Sequence, residues 1–124
     1  MSYGVTCRDR HLWDPARKVG EYFLGSVALL ERLIELESGV VSDLPDEIEI
    51  DDVKLGVFIE EALKRIETTN NTPLIALIAG VLEILMNLQA KIGGESTKYN
   101  DRSAKLRSRA EKVFGQADDY LGYH

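Results

Sequence analysis

The chain has 124 residues, 44% hydrophobic and 29% charged, which suits one compact domain with a genuine core and is too short for two. Three prolines and ten glycines exclude collagen-like and proline-rich chains. A lone cysteine, Cys7, excludes an internal disulfide or multi-cysteine zinc site, and two histidines, His11 and His124, leave few metal or acid–base centres. A formal charge of −6 with a pI near 4.9 disfavours nucleic acid or an anionic membrane as partner of the whole surface.

The N-terminus shows no basic stretch followed by an apolar one, and the longest apolar run, Leu74 to Leu82, is nine residues against the ~20 of a bilayer span. The expectation is a cytoplasmic protein of bacterial or archaeal type with Cys7 reduced and no membrane partner.

Residues 3–13 read as two β-prone runs around the Arg8-Asp9-Arg10 bend, a hairpin that must lean on helices because isolated hairpins are marginal in water. The spacing then predicts a helix over 15–38. Asp14 is placed to cap it, Pro15 sits in its first turn, and Ser38-Gly39 supplies the stop. Val19, Tyr22, Phe23, Val27, Leu30, Leu33 and Ile34 recur at three- and four-residue steps as one apolar face.

Pro45 prevents a continuous helix through 40–52, and Glu47 to Asp51 alternates acid with isoleucine, a short strand that could join the hairpin. Asp51 or Asp52 caps a second helix with Leu55, Phe58, Ile59, Ala62, Leu63 and Ile66 inward, ending at the Thr68–Asn71 turn. A third helix starts at Thr72-Pro73, a cap followed by proline, and ends at Gly93-Gly94. It is apolar nearly all round except at Glu83, Asn87, Gln89 and Lys91, as suits a helix in the middle of a bundle. Glu83 and Asn87 are read as its single wet edge. A last helix, 101–121, carries a thin stripe of Leu106, Ala110, Val113, Ala117 and Leu121.

The expected fold is mainly α: a four-helix, bundle-like domain with a short N-terminal β-hairpin and room for a third strand near 47–51. Residues 1–124 form one α-rich domain, with its core in 1–94 and a basic segment 98–124 docked loosely or used against another chain. Phe23, Val27, Leu30, Phe58, Leu63 and the third helix make the core.

The acidic segment holds Asp43, Asp46, Glu47, Glu49, Asp51 and Asp52 with no base among them. The spaced ligands and central glycine of a calcium loop are missing, so a solvated loop plus a helix cap is preferred over a metal site. Over residues 31–61, eleven acids face two bases, Arg32 and Lys54. Such a surface suits docking of a basic protein.

Residues 91–112 run the other way, with Arg102, Lys105 and Arg109 on one helical side. Nucleic-acid contact is disfavoured by the overall acidity and the lack of interleaved aromatics. A solvated face, or pairing with the acidic middle of the same or a neighbouring chain, is preferred. Cys7 and His11 raise the alternative of a nucleophile with its base, but a packed cysteine and a hairpin histidine are the preferred reading.

At Leu12-Trp13-Asp14-Pro15, followed by Val19 and Phe23, the chain resembles a family of small bacterial proteins common in actinomycetes, with a Leu-Trp-Asn-Pro-like helix start and an acidic connection like Asp46 to Asp51. The resemblance spans roughly residues 3–94, with Asp14 in place of the usual asparagine. It implies a helical fold and brings no catalytic residues.

The leading functional expectation is a non-catalytic protein-binding module of the immunity or antitoxin kind, its carboxylates set against a basic toxin. Metal and cofactor are expected to be absent. The alternatives are a homo-oligomeric scaffold that exchanges its last helix between subunits, and a small enzyme or ligand-binding domain built on Cys7, His11 and Trp13.

Overall fold

The elements run in the order β1 (Gly4–Cys7), β2 (Arg10–Trp13), α1 (Arg17–Ile34), β3 (Val40–Val41), β4 (Glu47–Ile50), α2 (Asp52–Thr68), α3 (Thr72–Gly93) and α4 (Asn100–Leu121). The structure, a computed structural model, describes residues 2–121, with side chains through Lys112. His124 and the Val113, Ala117 and Leu121 side chains assigned above to the last helix lie outside the described residues.

The chain is mainly helical, with a small mixed sheet in the order β2-β1-β4-β3. The expected hairpin is present. Its two-residue turn holds Arg8 and Asp9 at φ of 51° and 65°, the left-handed geometry that matches the twist of flanking strands. β4 joins β1 in parallel, with Gly4 opposite Glu47, Val5 opposite Ile48 and Thr6 opposite Glu49. The Glu-Ile alternation sends Ile48 and Ile50 inward beside Val5 and Cys7, while Glu47 and Glu49 face solvent. β3, which no pattern in the sequence announced, pairs antiparallel with β4.

α1 is shorter than expected at both ends. Asp14 does not cap it; its carboxylate lies 3.1 Å from Nε2 of His11. The Pro15 carbonyl accepts the Tyr3 N–H and Ala16 forms a bridge with Ser2, so residues 14–16 stay extended and the helix starts after Ala16. At the other end Glu35 takes a left-handed conformation at φ 61°. Ser38 and Gly39 therefore belong to the link into β3. Ser38 is buried, and its N–H and hydroxyl both donate to the Glu31 carboxylate, at 2.8 and 2.9 Å.

Asp51 caps α2 by accepting the N–H groups of Val53 and Lys54. Asn71, not Thr72, caps α3, with Pro73 in the first turn as expected. The helix C-termini share a device. Arg65 of α2 donates to the Leu33 and Ile34 carbonyls ending α1, and Arg109 of α4 donates to those of Ile66 in the last turn of α2 and Thr69 just beyond it. Arg10 of β2 donates to Ile92 near the end of α3. Each guanidinium meets carbonyls that have no partner within their own helix, where the helix dipole also favours a cation.

α3 packs on α2 and α4 and also meets α1 and β2. It is the one described helix long and apolar enough to cross a membrane, with a mean hydropathy of 1.8 over 18 residues; here Ile75, Leu82, Leu85 and Met86 fill the core against Phe58, Leu63 and Leu30. The core residues named from sequence, Phe23, Val27, Leu30, Phe58 and Leu63, are all buried.

Candidate functional site

The apolar face of α1 separates into two stripes offset by one residue. Gly20, Phe23, Val27, Leu30 and Ile34 are buried. Val19, Tyr22, Ser26, Leu29 and Leu33 repeat the same three–four spacing about 100° further round and look outward. Tyr22 is 80% exposed, Leu29 64% and Val19 51%. α3 offers a matching stripe of Leu74, Leu77, Val81 and Ile84, with Leu77 80% exposed.

Between the two stripes runs an open groove of about 810 Å³ whose walls, among the described residues, carry a single charged side chain, Lys18. Trp13 closes part of it, edge-on to Phe23 with ring centroids 5.5 Å apart. Scattered apolar residues are normal on a protein surface; here they form one contiguous exposed patch, the feature that singles this face out. The sequence carried only a partial signal: seven apolar positions on α1 are more than one buried face needs. Treating them as one face hid it.

The six acidic residues singled out from sequence are not equivalent. Asp51 is committed to the α2 cap, Asp52 accepts from Arg8 at 2.9 Å, and Asp46 lies 3.4 Å from Arg17. Asp43, Glu47 and Glu49 are exposed and make no ion pair among the described residues; the two glutamates share the outer face of the sheet. Elsewhere in the acidic middle, Glu31 holds Ser38, Glu37 meets Lys54, and Glu60 meets Arg102.

The basic trio is largely spent within its own chain. Arg102 bridges Glu60 and Glu67 of α2 at 3.0 and 2.7 Å; burial pulls its guanidinium pKa down, but the hydrogen bonds to Glu67 and Glu60 outweigh this and the net shift is upward. Arg109 caps α2, and Lys105 alone stands exposed without an ion pair among the described residues. On the supposed wet edge of α3, Asn87 is exposed, while α4 covers Glu83, which accepts from Arg107 at 3.0 Å.

Cys7 and His11 do not meet as a catalytic pair. His11 stands opposite Thr6 in the hairpin and is exposed, whereas Cys7 points into the core. Burial, followed by the nearby Asp52 charge, raises the thiol pKa, the opposite of what an activated nucleophile needs. No cluster of three or more metal-ligating side chains occurs among the described residues.

Fold and surface together define a small α-rich domain carrying a mixed four-stranded sheet and an open apolar groove between two of its helices. The chain belongs to DUF6086, a family of unknown function whose match covers residues 1–116. That match runs past residue 94, so it takes in most of α4, which the resemblance seen in the sequence left out. No curated protein and no solved structure matches the chain.

Proposed function

We propose that this protein is a non-catalytic protein-binding module whose working surface is the open apolar face of α1 and α3. The observation that carries the reading is the outward stripe on each helix, with Tyr22 and Leu77 standing 80% exposed beside an almost uncharged groove. Large rigid apolar side chains grouped on a scaffold are what interface centres are made of.

The free carboxylates of Asp43, Glu47 and Glu49 form a second, acidic recognition element, suited to steering a basic partner rather than to supplying most of the affinity. An immunity- or antitoxin-like role against a basic toxin is the form of this reading that the charge favours. A role as a homo-oligomeric scaffold is better placed at the α1/α3 face than at an exchanged α4, because Arg102, Arg107 and Arg109 are already engaged with α2, α3 and the turn between them.

The test compares the proteins retained by immobilised wild-type chain with those retained by a Tyr22→Glu/Leu77→Glu double variant shown by circular dichroism to be folded. A protein held by the first and lost with the second supports the reading. Identical retention by both contradicts it.

A further inference from the structure

We propose that the α1/α3 face pairs with a second copy of this chain about a twofold axis passing close to Ser26; the inference rests on the protein-binding reading of that face and names its occupant. The stripe on α1 is self-complementary. Val19 and Tyr22 lie seven and four positions before Ser26, and Leu29 and Leu33 lie three and seven after it. Antiparallel pairing therefore sets the Val19–Tyr22 end of one copy against the Leu29–Leu33 end of the other.

The middle of each stripe is small. Gly25 and Ser26 on α1 and Gly80 on α3 sit where two helices would cross, and a Cβ built on either glycine meets nothing within 4 Å. Small residues at the crossing with large ones on either side let helices approach closely and mesh.

Charge and area agree with this occupant. Two copies each carrying −6 repel through most of their surface, yet among the described residues the groove walls hold no acid, and Lys18 is their only charge. The exposed parts of Val19, Tyr22, Leu29, Leu33, Leu77 and Ile84 amount to on the order of 600 Å² per copy, taking ~150–200 Å² for a fully exposed large side chain. Covering both copies would bury ~1,200 Å² before the groove walls are counted, within reach of the ~1,200–2,000 Å² of stable complexes. A small apolar ligand in the groove would leave the Tyr22 and Leu77 tips in water, and an anionic membrane would meet a net-negative protein.

The experiment is sedimentation equilibrium on the full-length protein, with Leu29→Arg and Leu77→Arg as separate variants and circular dichroism to confirm folding. Mild oxidation of a Ser26→Cys chain, with Glu49→Cys as control, provides the positional readout. The proposal expects a species of twice 13.9 kDa, at least a 100-fold rise in its dissociation constant with either arginine, and a disulfide-linked dimer from Ser26→Cys but not from Glu49→Cys. A monomer at high micromolar concentration overturns it, as does a dimer indifferent to both arginines. A monomer that retains a different protein through Tyr22 and Leu77 sinks the self-pairing and leaves the protein-binding reading standing. A monomer that binds phosphatidylcholine vesicles through those residues and retains no protein sinks both.

Discussion

Gly39 shows how one position can fix the join between α1 and the sheet. Its φ is +85°, and a Cβ there would lie 2.7 Å from the Asp51 carbonyl oxygen and 2.9 Å from Cβ of Lys54, while its own carbonyl accepts the Asp51 N–H at 2.9 Å. Strain and backbone collision act together, so Gly39→Ala should cost about 2 kcal/mol. For a chain of this size the thermal midpoint should fall by roughly 6–10 °C. Calorimetry showing an unchanged midpoint would mean that the β3–α2 contact is looser than described. Asp51, across from Gly39, illustrates the limit of charge counting: its negative charge belongs to a dense acidic run, yet its oxygen is occupied by two α2 amides.

For helices and strands, what could be read from sequence was local and what could not be read was relational. Pro73, Asp51 and the glycine pair at 93–94 mark helix starts and stops through local backbone chemistry, whereas Pro15 lies in the extended stretch before α1. The Glu-Ile alternation of β4 is equally local. β3 has only two residues and exists because β4 offers it a partner, so no periodicity could reveal it. Asp14 looked like a cap because its neighbours fit, but His11 and the extended backbone drawn in by Tyr3 and Ser2 use that stretch differently.

The basic residues of α4 carry the same lesson. Their three- and four-residue spacing resembled a binding face, but Arg109 reaches two carbonyls at the end of α2 that were left without helical partners. Arg109→Met should destabilise the protein by about 1–2 kcal/mol, whereas Lys105→Met, at an exposed position, should stay within ~0.5 kcal/mol. Urea titrations of the two variants check this, and equal effects would contradict the capping role.

Across the whole molecule, the polar groups that drew attention in the sequence are largely used to hold the fold, and the apolar groups assigned to the fold are partly left outside. Glu31, Asp51, Asp52, Arg102 and Arg109 all have internal tasks, whereas Tyr22, Leu29 and Leu77 stand exposed. Burying such side chains contributes ~25 cal/mol per Å² of apolar surface, so an exposed stripe on each of two adjacent helices is a large unused driving force for association. Periodicity shows that a helix has an apolar face but not how much of that face its own chain covers, because the answer depends on helices far away in sequence. The open groove was therefore the least legible part of the candidate site.

The most direct measurement places a photoactivatable benzoylphenylalanine at position 77, and in a parallel chain at position 105, and irradiates each in living cells. The account predicts a covalent protein adduct, to a second copy or to another chain, from position 77 and little or none from position 105. Absence of any protein adduct at 77, with the chain folded and expressed, would contradict the claim that this face is a protein-binding surface.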